Sequence, residues 1–151
     1  MSKDEIRSLS ESQIGYLAGI IDGEGYIGMC QTKPNRYLLR VVVTSTSEDL
    51  ANWIKSTTGL GKINHRKMAH RQRQDVFEWR VFGKDAGTLL SKLAPLLLVK
   101  RAQAIGAIRY QNNTALKGDE RATFAKQSSE MLKNLNSKQA HKQNVRIADS
   151  D

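Results

Sequence analysis

The chain predicts an α+β domain of element order αββαββα, in which a four-stranded mixed or antiparallel sheet carries helices on one face and leaves the other open. Three observations lead there: a helical pattern followed by two strand-like runs, the same succession a second time, and strands that are polar on alternate residues. With 151 residues the chain suffices for one core. The expected domain is 1–136, followed by a polar and flexible tail at 137–151.

Ile14, Leu17 and Ile21 give the first helix an apolar face, with Tyr16 and Ile20 beside it. Gly15, Ala18, Gly19 and Asp22 fall at i, i+3, i+4 and i+7, a narrow stripe nearly without side chains that another backbone can approach closely. Gly23-Glu24-Gly25 ends the helix, because glycines disfavour continuation. Tyr26 to Lys33 and Arg36 to Thr44 read as a hairpin turning at Pro34-Asn35. Ser47 caps the next helix, whose apolar residues are Leu50, Trp53 and Ile54 and whose end is Gly59. Lys62 to Met68 and Asp75 to Phe82 form the second strand pair, with Phe77, Trp79 and Val81 alternating against Val76, Glu78 and Arg80. Lys84 to Leu97 reads as a helix cut short by Pro95, with Leu89, Leu90, Leu93, Leu96 and Leu97 as core candidates. Helices at Lys100 to Tyr110 and Glu120 to Leu135 complete the chain.

Lys and Arg outnumber Asp and Glu by 24 to 15, which favours a polyanionic partner. Cys30 is the only cysteine, so an internal disulfide is excluded and a reducing compartment is expected. The three histidines lack zinc-like partners, and no apolar run approaches a membrane span. The N-terminus lacks the pattern of a secretory signal. An intracellular location follows as an expectation, in a prokaryotic cytoplasm or an organelle such as a chloroplast or mitochondrion.

The uncovered sheet face should display Tyr26, Gly28, Cys30 and Thr32, then Arg36, Leu38, Arg40 and Val42, then Lys62, Asn64 and Arg66, and finally Glu78 and Arg80. Arg, Lys and Asn can bond purine edges in a major groove that admits a β-ribbon, and Glu can accept from cytosine. Lys33 and Asn35 of the hairpin turn join this set. The run His65 to Gln74 holds Arg66, Lys67, Arg71 and Arg73 and no acid. It reads either as a phosphate clamp or as a solvated hairpin tip.

The nine residues Leu17-Ala18-Gly19-Ile20-Ile21-Asp22-Gly23-Glu24-Gly25 resemble the signature of the LAGLIDADG homing endonucleases. Ile20 and Ile21 stand for its Leu and Ile, and Gly23-Glu24 for its Ala-Asp. The αββαββα order matches the family's domain too, so the resemblance spans roughly Ser12 to Tyr110. The signature occurs once in a chain about half the length a two-motif protein needs, which fits the single-motif, homodimeric type. The resemblance implies that two such helices pack together through Gly15, Ala18, Gly19 and Asp22. It implies that Glu24 binds a divalent metal beside a DNA strand, Mg²⁺ with Mn²⁺ able to substitute, and that Gly23 adds its carbonyl. Asp22 would bind backbone amides around the paired helix ends, the alternative being metal ligation. Lys100 matches a lysine that relatives carry near the scissile phosphate, with a merely basic surface residue as the alternative. Gln103, one turn on, is a candidate to orient water or contact the backbone. Ser45 stands where some relatives place a glutamine of the solvent network, and it is the corresponding candidate here. Without the helix before it, Glu24 would read as an ordinary turn residue.

The expected function is site-specific cleavage of double-stranded DNA at a long pseudo-palindromic site by a homodimer, as an intron-encoded homing endonuclease would perform. The alternative is a non-cutting nucleic-acid binder of the same fold, either an intron RNA maturase, with RNA as a partner, or a transcription regulator. A basic protein-interaction domain would explain the charge but not the small-residue helix ending in an acid.

Overall fold

A computed structural model describes residue 6 and residues 8–67 and 74–149, with side chains through residue 138. Helix α1 spans Glu11–Glu24 and opens on a capping box: Gln13 N donates to Ser10 Oγ and Ser10 N to Gln13 Oε1. Strand β1 (Gly25–Lys33) begins at the very next residue. Gly25 makes this joint possible, because a Cβ there would lie 2.7 Å from the Ile21 carbonyl oxygen. Gly23 stays helical, so of the two flanking glycines it is Gly25 that turns the chain.

The turn from β1 to β2 (Arg36–Ser45) uses Asn35 at a positive φ of 65°, which asparagine tolerates. Helix α2 (Glu48–Thr58) starts with Leu50 N donating to Ser47 Oγ and ends at Gly59 in the left-handed conformation. Strands β3 (Lys62–Arg66) and β4 (Val76–Phe82) follow, then helix α3 (Gly83–Leu93), a 3₁₀ turn (Ala94–Leu96), α4 (Arg101–Asn112) and α5 (Gly118–Asp149).

The sheet runs β1-β2-β4-β3 and is antiparallel at every junction, so of the two arrangements expected the mixed one is excluded. Ile27, Met29, Leu39, Val41, Val43, Trp79 and Val81 point to one side and share a core with Leu17, Ile21, Ile54, Leu89, Leu90, Leu93, Ala104 and Leu132 from the helices. Burying these apolar groups is the main stabilising term, and it also fixes register, since a slip by one residue would turn each strand inside out.

Several boundaries differ from the pattern. Pro95 lies in the 3₁₀ turn that ends α3 at Leu93, and this turn swings Leu96 outward to 50% exposure, so it is not a core residue. Strand β3 ends at Arg66 rather than Met68; residues 68–73, with Arg71 and Arg73, lie outside the described ones. Helix α5 continues to Asp149 instead of ending at Leu135, through the stretch expected to be a flexible tail.

Candidate active site and nucleic-acid interface

Helix α1 carries two acids, Asp22 and Glu24, at its C-terminal end. The Asp22 carboxylate accepts from the backbone N–H groups of Leu98 (2.8 Å), Val99 (3.1 Å) and Lys100 (3.0 Å), the segment that leads into α4. In return Lys100 Nζ donates to the Asp22 carbonyl at 2.7 Å. Orphan amides at one helix start and an orphan carbonyl at another helix end are thus satisfied together. A positive charge at the α1 C-terminus and a negative one at the α4 N-terminus also suit both helix dipoles. Asp22 does bind amides, as the alternative to metal ligation held, but they belong to its own chain. Burial pushes the Lys100 ammonium below the usual lysine range, while the Asp22 charge opposes that shift.

The Asp22 contacts join segments more than seventy residues apart, so replacing Asp22 with Ala should destabilise the domain. Three amides would lose a charged acceptor, partly compensated by water because the site is half open. We expect a loss of about 2 kcal/mol, read as a lower urea midpoint at unchanged slope; an unaltered midpoint would show that the clamp contributes nothing.

Glu24 closes α1, exposed to solvent, and its carboxylate makes no hydrogen bond or ion pair among the described residues. It lines two concavities at once. One, of about 400 Å³, is bordered by Glu24, Thr44, Ser45, Thr46 and Val76 at the end of the strands. The other, of about 530 Å³, runs along α1 past Gly15, Tyr16, Gly19, Ile20 and Gly23, with Ser45 and Leu50 on its flank. A Cβ built at Gly15, Gly19 or Gly23 would meet nothing within 4 Å. The open stripe is therefore Gly15, Gly19 and Gly23, at i, i+4 and i+8. Ala18, expected on it, is only 2% exposed and packs in the core, because the helix turns that residue toward the sheet.

A hard cation would take oxygen ligands, and Glu24 with the neighbouring Gly23 carbonyl offers them. Among the described residues, however, no three His, Cys, Asp or Glu side chains group together to hold a metal. Ser45 borders both concavities beside Glu24, with its hydroxyl accepting from Ser47 N at 3.0 Å. Gln103 is a correction: it is fully buried, and its Nε2 donates to Asn136 Oδ1 at 3.2 Å, while Asn136 Nδ2 donates to the Ile27 carbonyl. It braces α4 and α5 against β1 and cannot reach solvent or a phosphate from there.

The sheet register assembles the expected open face. Tyr26 pairs with Val42, Gly28 with Arg40 and Cys30 with Leu38; Val42 and Lys62 flank Arg80, and Asn64 lies opposite Glu78. The Tyr26 ring folds over Gly28, where a Cβ would come within 2.6 Å of it, and the Arg40 guanidinium lies over that ring at 5.3 Å. Thr32, Lys33, Asn35 and Arg36 are exposed around the β1–β2 turn, and Lys67 is exposed after β3. Thr44 belongs to this face as well, exposed and opposite Glu78. Continuing the Leu38-Arg40-Val42 alternation by two residues would have found it. Leu98 and Val99 were likewise unforeseen, two exposed apolar side chains in the segment that Asp22 holds.

Among the described residues no helix is long and apolar enough to cross a membrane. No protein-family model matches the chain. Solved structures do resemble it. The homing endonuclease I-CvuI, in complex with the I-CreI target in the presence of Mg and with the DNA not cleaved, superimposes with a TM-score of 0.67 at 23% identity over 83% of this chain and 82% of that one. The archaeal intron-encoded homing endonuclease I-Vdi141I, complexed with DNA, gives 0.69 at 17% identity over 83% and 84%. The LAGLIDADG meganuclease I-AabMI, bound to uncleaved DNA, gives 0.53 at 25% identity over 65% of this chain and 35% of that one. The architecture is thus that of the LAGLIDADG homing endonucleases.

Proposed function

We propose that this protein is a site-specific DNA endonuclease that hydrolyses phosphodiester bonds with a divalent metal, Mg²⁺ or Mn²⁺, as a homodimer on a long pseudo-palindromic site. One observation carries this reading: Glu24, exposed and without a hydrogen bond or ion pair among the described residues, stands where the glycine groove of α1 meets the ends of the strands. A second copy seated in that groove would set two Glu24 carboxylates close together, completing a ligand set that one chain lacks. Two-fold symmetry then requires a two-fold target. The DNA-bound structures of similar fold support the same partner.

When bound, the metal supplies an activated water and stabilises charge on the leaving oxygen. The chain's own groups do the rest. Glu24 and the Gly23 carbonyl would hold the ion, and the glycine stripe would set how closely two such acids approach. Lys100, anchored on the Asp22 carbonyl, places a positive charge beside the reacting phosphate. Ser45 keeps a hydroxyl proton to donate to solvent beside Glu24. Arg36, Lys62, Arg66 and Lys67 neutralise phosphates, and Arg40, Asn64 and Arg80 face base edges.

A library of plasmids carrying candidate sites tests the reading, incubated with the protein in Mg²⁺, in Ca²⁺ and in EDTA. We expect linearised plasmid in Mg²⁺ and binding without cutting in Ca²⁺. Selective binding that never leads to cutting in Mg²⁺ or Mn²⁺ would instead favour a non-cutting binder of this fold. Binding should also be steeply salt-dependent. With about 6 to 10 phosphate contacts, affinity should fall on the order of 10³- to 10⁵-fold between about 50 and 200 mM salt. A flat titration would remove phosphate neutralisation from the account.

A further inference from the structure

We propose that Glu78 is a positioning residue that sets base choice through Arg80 without itself touching a base; this rests on the DNA-binding reading above. Glu78 is the single acid on the open face among the described strand residues, and it is only 9% exposed. Arg80, two residues along β4, donates from Nη2 to Glu78 Oε2 at 2.8 Å. Arg66 of β3 brings a second guanidinium to 3.8 Å of the same oxygen. The Arg80 hydrogen bond holds the Glu78 carboxyl below the usual carboxylate range despite burial, and the charges of Arg80, Arg66 and Arg40 act in the same direction. At neutral pH Glu78 is therefore a carboxylate with Oε2 engaged by Arg80, and it is largely buried on the sheet. This differs from the expectation that it reads cytosine directly.

The pair changes what Arg80 can do. A free arginine samples many rotamers and meets any phosphate, whereas a guanidinium tethered at one Nη keeps its plane and presents the remaining donors in a fixed direction. Arg80 Nε is buried and has no hydrogen-bond acceptor among the described residues. That leaves Nη1 and the second Nη2 hydrogen, on a side chain 35% exposed, as the donors available to guanine O6 and N7. The carboxylate also repels phosphates, which weakens indiscriminate binding.

The test uses the full chain and its own selected site. Wild-type protein selects duplexes from a randomised pool in Ca²⁺, and each base pair of the selected site is then replaced in turn. Binding is compared for wild type, Glu78→Gln, Arg80→Ala and the double variant. We expect Glu78→Gln to relax discrimination about tenfold at the base pairs that Arg80→Ala relaxes and nowhere else. It should bind unrelated duplex more tightly and add nothing to Arg80→Ala. Thermal melting of Glu78→Gln checks folding, and Glu78→Asp, which keeps the charge but shortens the reach, should relax the same base pairs. The proposal is overturned if Glu78→Gln changes a base pair that Arg80→Ala leaves alone, if it switches a preferred base from cytosine to adenine, or if discrimination is unchanged. A wild type that selects no sequence at all would defeat the DNA-binding reading itself, and is told apart by failing before any variant is compared.

Discussion

Replacing Glu24 with Gln is expected to abolish cleavage while leaving DNA binding within a few-fold of wild type. The change removes one negative oxygen and nothing else, since the Glu24 carboxylate has no hydrogen bond or ion pair among the described residues and is exposed. Folding stability should therefore be within about 0.5 kcal/mol of wild type, as for other surface positions. Losing a partner of a metal ligand costs about 10- to 100-fold. Losing the ligand itself should cost more, on the order of 10³-fold in the single-turnover rate. Binding in Ca²⁺ and cutting in Mg²⁺, measured on the same duplex, separate the two quantities. Unimpaired cutting by the variant would show that the acid at the end of α1 is an ordinary surface residue.

Gly19→Leu should have the second large effect, for the opposite structural reason. Within one chain the change is harmless: a Cβ at Gly19 meets nothing within 4 Å, and leaving glycine in an exposed helix interior gains about 0.5 to 1 kcal/mol. A second helix lying in the groove would meet the whole isobutyl group. We expect a monomer in sedimentation, melting at or above the wild-type temperature, with cleavage lost. A dimer unchanged in mass would move the seam elsewhere. Gly25→Ala provides the contrast, since its Cβ would strike the Ile21 carbonyl and disturb the fold itself.

The sheet face was legible because β4 alternates in sequence and because burial punishes a slip. Once Phe77, Trp79 and Val81 are placed toward the helices, Glu78 and Arg80 must face away, and the partners across β2 and β3 follow. The role of Asp22 in holding amides was legible through resemblance, although not which amides. Spacing served less well on helices. Ala18 sits one turn from both Gly15 and Asp22 by count, yet a residue that small is equally suited to a tight core contact, and the core took it. Gln103 was misjudged for a related reason. A polar side chain next to Ala104 and one turn before Ala107 is buried only if some partner satisfies it, and that partner, Asn136, lies far along the chain on α5. Leu96 failed because Pro95 changes the helix type just before it.

The junction without a linker between α1 and β1 divides the molecule into parts that evolution can edit and parts it cannot. One inserted residue at Glu24-Gly25 would rotate the acid out of place relative to the strands, and no slack exists to absorb it. The turn at Pro34-Asn35 lies at the other end of β1 and β2, where lengthening leaves that joint undisturbed, whereas Val76, the first residue of β4, borders the same concavity as Glu24. Changes of length should therefore be tolerated at that turn, while the distance from α1 to the first strand stays at zero residues.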